Sequence, residues 1–83
     1  MNVAEEVKSV LGQVLRLEDR ARHFEASTLL FGAIAEFDSR AVVTLVATLE
    51  EKFGIVVADD EITAEVFETV GSLIEFIERK LAT

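Results

Sequence analysis

At 83 residues, 51% of them hydrophobic, the chain is long enough for one compact core and too short for two, so residues 1–83 are expected to form a single domain. The absence of cysteine excludes disulfides, thiolate catalysis and zinc–thiolate sites, and indicates a cytoplasmic protein. The formal net charge of −8 disfavours nucleic acid and anionic membranes as partners and favours proteins with basic patches.

The N-terminal sequence MNVAEEVKSV lacks the basic region and apolar stretch of a signal peptide. The longest nearly apolar run, Ala41–Leu49, is too short to cross a bilayer, so no membrane span is expected. Negative charge is concentrated in residues 36–83, which hold four basic and eleven acidic side chains. An acidic surface also keeps small domains soluble, so charge alone does not identify a partner.

The first predicted helix runs from Val3 to Leu17. Its apolar residues recur at helical spacing and define one face: Val3, Val7, Val10, Leu11, Val14 and Leu15. The following segment, Glu18–Phe37, starts charged and becomes apolar without a clean period. It is predicted to be a long ordered loop, compatible with a short helical turn, and loops of this length are often functional. Five apolar side chains are expected to anchor it to the core: Phe24, Leu29, Leu30, Phe31 and Ile34.

The second long helix is predicted to begin near Ser39 and to end at Gly54, with Lys52 in its last turn. One side of it forms a core stripe: Val42, Leu45, Val46, Leu49 and Phe53. The opposite side carries Arg40, Val43, Thr44, Ala47 and Glu51, with Glu50 beside Val43. Two apolar residues, Val43 and Ala47, are therefore predicted to face solvent on the side below Ser39.

The GIVV stretch is not predicted to be a strand, because a single unpaired strand would leave its backbone groups without hydrogen bonds. Two further helices are predicted after it. Thr63 can cap a short helix over Ala64–Glu68, and Thr69 can cap a last helix from Val70 to about Leu81. The sequence therefore predicts an all-α fold, a small four-helix bundle of three longer helices and one short one, with a long loop after the first helix.

The residues needed for catalysis are nearly absent. His23 is the only histidine, no glycine-rich phosphate loop exists, and no Ser/His/Asp set can be assembled nearby, so the chain is not expected to be an enzyme. The acidic run Asp59, Asp60 and Glu61 lacks the ligand order of a calcium-binding loop. These carboxylates are better explained by their place before a helix N-terminus, and no dedicated metal site is predicted.

The Asp38-Ser39 pair before the second long helix has two interpretations. Either residue can be an N-cap, which contributes about 1 kcal/mol for purely structural reasons. Alternatively, the Ser39 hydroxyl is a point of covalent attachment. Arg40 opposes the dipole of the first helical turn, but a phosphate on Ser39 would reverse that effect. Arg40 could equally pair with Glu36 or Asp38.

Taken together, FDS at the start of an apolar helix, LEEKFGI at its end, the acidic ADDEI, and TVGSLIEFI in the last helix resemble the acyl carrier protein family. The resemblance covers nearly the whole chain. It implies a four-helix bundle in which Ser39 carries 4′-phosphopantetheine, installed from coenzyme A by a phosphopantetheinyl transferase. The thiol of that arm would hold acyl groups as thioesters for fatty acid, polyketide or related biosynthesis.

The resemblance also implies partners and their docking surface. The partners are acyl-transferring and acyl-modifying enzymes with basic patches, and the carrier would be a freestanding monomer. The recognition residues carried over are Asp38, Arg40, Val43, Thr44, Ala47, Glu50 and Glu51. Arg40 departs from the Leu or Met that usually follows the modified serine, and Thr44 replaces a frequent glutamate. An unmodified, carrier-like interaction domain that binds a protein partner is the alternative.

Overall fold

The computed structural model describes residues 2–31, Ile34 and residues 37–82. Within these residues the chain forms four α-helices and no strand: α1 (Val3–Leu15), α2 (Glu18–Ala21), α3 (Ser39–Phe53) and α4 (Val70–Ala82). A 3₁₀ turn, Asp59–Glu61, lies between α3 and α4. The predicted all-α bundle of three longer helices and one short helix is confirmed.

The short helix, however, lies at Glu18–Ala21 and not at Ala64–Glu68, where the sequence analysis placed it. Residues 64–68 form turns, in which the Phe67 N–H donates to the Thr63 carbonyl at 3.4 Å. Thr63 does act as a cap, since its hydroxyl accepts a hydrogen bond from the Val66 N–H at 3.4 Å. Because these hydrogen bonds are long and the segment is only five residues, residues 64–68 do not form a helix.

Helix α2 can fold back onto α1 because Gly12 has no side chain. A Cβ at Gly12 would lie 3.2 Å from the Ala21 Cβ and 3.2 Å from the Glu18 Cα, closer than ordinary packing allows. The chain reverses at Arg16, whose backbone is left-handed with φ of 58° and whose N–H donates to the Gly12 carbonyl. This reversal ends α1 two residues before the predicted end at Leu17.

Arg16→Gly is expected to raise the free energy of unfolding by roughly 0.5–1 kcal/mol. Left-handed backbone costs a residue with a Cβ about 1–2 kcal/mol, and the greater freedom of glycine in the unfolded chain offsets part of that gain. Urea unfolding followed by circular dichroism measures the change. Arg16→Ala, which keeps the Cβ, is the matched control, and an equal gain in both variants would contradict the assignment of strain to Arg16.

The core is centred on α1, which packs against α2, α3 and α4. The whole predicted stripe of α3 is buried, from Val42 to Phe53. For α4, the apolar spacing of the sequence predicts a stripe of Val70, Leu73, Ile74, Ile77 and Leu81. That prediction was less accurate, because Leu81 is partly exposed and Phe76, which is not in the stripe, is buried. Burial of these apolar side chains is the main driving force for folding.

The segment between α2 and α3 is held to the start of α4 by backbone hydrogen bonds. The Leu30 N–H donates to the Glu68 carbonyl at 2.8 Å, and the Val70 N–H donates to the Thr28 carbonyl at 3.0 Å. Leu29 and Thr69 form an isolated antiparallel bridge in the same place. Side chains alternate along such an extended segment. Leu30 is therefore buried and its neighbour Leu29 is exposed.

Three of the five predicted anchors, Phe24, Leu30 and Ile34, are buried as expected. Leu29 and Phe31 are exposed, at 56% and 51%. The prediction that they anchor the loop was wrong for Leu29, whereas the half-exposed Phe31 ring still packs against the buried Phe37. None of the helices within residues 2–31, 34 and 37–82 combines the length and the apolar content needed to cross a bilayer.

Glu61 joins the 3₁₀ turn to the last helix. Its Oε1 accepts the Ala58 N–H at 2.9 Å, and both carboxylate oxygens accept hydrogen bonds from the Lys80 ammonium at 2.9 and 3.1 Å. The bond from Ala58, and then the one from Lys80, lowers the pKa of the Glu61 carboxyl from its ordinary value. The folded state therefore favours the charged carboxylate more than the unfolded chain does.

Glu61→Gln is expected to lower the stability at neutral pH and to have less effect in acid. Because the folded pKa is depressed, the contribution of Glu61 is present above the unfolded value of about 4.3 and is lost as the pH falls through the folded value. Urea unfolding at neutral pH and below about pH 3 tests this. Glu65→Gln, at an exposed position without a side-chain hydrogen bond to any described residue, is the control. A stability loss that is the same at both pH values would contradict this account.

Candidate functional site

The start of α3 exposes Ser39 because Asp38 supplies the helix cap. Asp38 has extended backbone, and its Oδ1 accepts a hydrogen bond from the Ala41 N–H at 2.9 Å. The Val42 N–H donates to the Asp38 carbonyl at 3.0 Å, which completes the first turn. Ser39 is thus the first helical residue and not the cap. It is exposed, and its hydroxyl makes no hydrogen bond to any described residue.

Aromatic packing fixes the chain just before this point. Phe37 is buried, and its ring lies 6.1 Å from Phe31 in an edge-to-face arrangement and 6.0 Å from Phe67. Such pairs add roughly 0.5–1.5 kcal/mol beyond the area they bury. Phe37 was not among the predicted anchors, although it stands two residues before Ser39. Its burial holds the entry into α3, while the Ser39 side chain remains in solvent.

The predicted outer face of α3 is exposed: Arg40, Val43, Thr44, Ala47 and Glu51 all face solvent. Val43 is 69% exposed, so it offers an apolar contact on this face. The first turn of the helix contains no acidic residue. The exposed face of α3 that follows Ser39 therefore begins with a cation and an apolar side chain, although the chain is acidic overall and the exposed Asp38 lies just before the helix.

Glu50 differs from the rest of the predicted recognition set. It is half-buried, and its Oε2 accepts the Val57 N–H at 2.8 Å. This bond holds the segment after α3 against the helix. The periodicity of α3 does not predict this hydrogen bond, because Val57 lies seven residues after Glu50 and beyond the end of the helix.

Arg40 forms no ion pair or hydrogen bond with any described residue, so the pairing with Asp38 considered above is not formed. The alternative pairing with Glu36 lies outside the described residues. An unpaired cation in the first turn does not stabilise its own helix, because the dipole there favours negative charge.

The remaining candidates for chemistry lie elsewhere. His23 is exposed after α2. A surface groove between α1 and α2 is lined by residues such as Glu5, Lys8 and Gly12. The structure, over the part of the chain it describes, places no three His, Asp or Glu side chains where they could hold a metal ion. Ser39 is exposed at the start of α3 and does not line that groove.

Comparison with known proteins identifies what this arrangement is similar to. Residues 5–77 match the family model described as a phosphopantetheine attachment site. The acyl carrier protein of Thermosynechococcus vestitus is 34% identical over 80 residues, which cover 96% of this chain and 93% of that protein. The acyl carrier protein of a Sulfurovum species is 56% identical over 41 residues, or 49% of this chain and 52% of that protein.

A solved structure is similar over its full length. The solution NMR structure of a holo acyl carrier protein from Nitrosomonas europaea matches with a TM-score of 0.91 and 48% sequence identity, and the match covers 100% of each chain. The fold and the sequence similarity therefore extend over the same residues.

Proposed function

Because this chain belongs to the acyl carrier protein family, we propose that Ser39 is the residue to which its 4′-phosphopantetheine arm is attached. The observation that carries the proposal is the exposed Ser39 hydroxyl at the first position of α3, which bonds to none of the described residues. Asp38 occupies the cap by accepting the Ala41 N–H, so the Ser39 hydroxyl is not the capping group.

The surroundings of Ser39 fit a phosphodiester. The positive end of the α3 dipole favours an anion there. Arg40, which pairs with none of the residues that the structure describes, supplies a cation in the next position of the chain. When attached, the arm supplies a terminal thiol that holds acyl groups as thioesters, and this cysteine-free chain has no thiol of its own.

Loading requires only that Ser39 act as a nucleophile within the site of a phosphopantetheinyl transferase. The Ser39 Oγ attacks the phosphorus of coenzyme A that bears the pantetheine, and a new P–O bond forms. The pyrophosphate bond breaks, adenosine 3′,5′-bisphosphate leaves, and the hydroxyl proton passes to a base on the transferase. The chain contributes the hydroxyl and the surface, and the partner enzymes contribute the catalytic groups.

We further propose that residues 1–83 act as one domain, a monomeric carrier that delivers acyl groups in fatty acid, polyketide or related biosynthesis. The packing of α1 against all three other helices supports a single unit. The predicted recognition residues Asp38, Arg40, Val43, Thr44, Ala47, Glu50 and Glu51 lie along α3 and its cap, next to Ser39.

Incubation of the wild-type protein with coenzyme A and a phosphopantetheinyl transferase tests the proposal. We expect the intact mass to increase by one phosphopantetheine, and fragmentation of the modified peptide to place it on Ser39. The exposed serines Ser9 and Ser27 provide internal controls that remain unmodified. A mass that does not change with several transferases would contradict the assignment.

The absence of a partner for Arg40 among the described residues is the observation that favours the alternative, an interaction domain that is never modified. In that case the apo protein would bind its partner at full strength without coenzyme A or transferase. The mass measurement separates the two functions, because only the carrier gains the arm.

A further inference from the structure

The exposed face of α3 carries a cation at one end and a carboxylate at the other. Arg40 and Glu51 are eleven residues apart, so they differ by about 20° around the helix axis and by roughly 16 Å along it. Both side chains are exposed. They therefore mark the two ends of one continuous strip that begins beside Ser39.

The strip between these charges is neutral and partly apolar. Val43, Thr44 and Ala47 lie in it, all exposed, and Val43 is 69% exposed. The sequence places no charged residue between Arg40 and Glu51 on this face, so the positive end and the negative end stay separate. The order along the strip is thus positive, apolar, negative.

The other charges of α3 and its cap are engaged within the protein. Asp38 accepts the Ala41 N–H, and Glu50 accepts the Val57 N–H. Lys52 pairs with Glu6 at 2.8 Å. Arg40 and Glu51, by contrast, have no ion pair with any residue that the structure describes, so both are available to a partner.

We propose that the phosphopantetheinyl transferase that acts on Ser39 docks on this strip with a carboxylate facing Arg40, an apolar contact on Val43, and a cation facing Glu51 roughly 16 Å away. This inference rests on the proposed attachment at Ser39, since the strip serves to bring a partner to that residue. It refines the expectation from net charge, which predicts only basic patches on the partner.

Opposite charges at the two ends give the partner one orientation. Rotating the partner by 180° on the strip would bring a carboxylate to Glu51 and a cation to Arg40. Juxtaposed like charges oppose docking, and complementary charges fix register more than they add affinity. The strip therefore selects both the partner and the direction in which its active site faces Ser39.

The test uses the phosphopantetheinyl transferase from the same genome, titrated by calorimetry without coenzyme A. All variants carry Ser39→Ala, so that neither the arm nor its phosphate contributes to binding. The diagnostic variant exchanges the two charges, Arg40→Glu with Glu51→Arg, and leaves the net charge unchanged. Arg79→Glu, at an exposed position in the last turn of α4, matches the charge change of the single variant Arg40→Glu.

We expect the exchanged variant and Arg40→Glu each to weaken binding by about tenfold. Arg79→Glu should change binding by less than about twofold. With Ser39 restored, kcat/KM for modification should fall in the exchanged variant and in Arg40→Glu but hardly in Arg79→Glu. Circular dichroism should show unchanged helicity in all three.

Unchanged binding and kcat/KM in the exchanged variant would overturn the inference, because a partner with a uniformly basic patch does not sense the order of charges. Tighter binding by Arg40→Glu would overturn it as well. These outcomes are distinct from failure of the attachment proposal, which would appear as wild-type protein that this transferase does not modify.

Discussion

Leu30→Ala is expected to lower the free energy of unfolding by about 2–5 kcal/mol, the range for removal of a fully buried leucine side chain. Leu30 has no exposed surface, and it lies in the segment that connects α2 to α3. Its N–H donates to the Glu68 carbonyl at 2.8 Å, which places the side chain within the core. The substitution therefore leaves a cavity and loosens the segment that leads to Ser39.

Leu29→Ala is the matched control, because it removes the same atoms from the neighbouring residue, which is 56% exposed. Its expected effect is within about 0.5 kcal/mol, as for most surface substitutions. Urea unfolding followed by circular dichroism compares the two. Equal losses, or a larger loss for Leu29→Ala, would show that the alternation along this segment is assigned to the wrong faces.

Ser39→Ala is expected to abolish modification completely and to change the stability by less than about 1 kcal/mol. The hydroxyl makes no hydrogen bond to a described residue, so its removal leaves no group unsatisfied. Intact mass after incubation with transferase and coenzyme A measures the first effect, and urea unfolding measures the second.

Two controls separate the attachment role of Ser39 from a structural one. Ser27→Ala removes another exposed hydroxyl and should leave modification intact. Asp38→Ala removes the cap on the Ala41 N–H and should cost about 1 kcal/mol of stability, unlike Ser39→Ala. Modification of the Ser39→Ala protein would contradict the assignment.

The sequence predicted α3 from end to end because its signals are local and agree with one another. The apolar stripe ends at Phe53, and Gly54 takes the left-handed conformation, with φ of 64°, that favours glycine. The exposure of Ser39 and Val43 follows from the same helical register, so the geometry of the candidate site was largely predictable. These features need no knowledge of distant contacts.

The features that were missed depend on contacts between distant segments. The position of α2 depends on the space that Gly12 leaves on α1, which becomes apparent only when Glu18 and Ala21 pack against it. The exposure of Leu29 and Phe31 depends on pairing of their segment with residues 67–70. The bond from Val57 to Glu50 likewise forms only once the chain has turned beyond α3.

Mass spectrometry of the peptide containing Ser39, taken from the protein isolated from its native host, tests the central claim most directly. A phosphopantetheine on Ser39, free or bearing an acyl group, is the predicted result. A Ser39 peptide that is unmodified throughout the population, or an arm found on a different serine, would contradict the account.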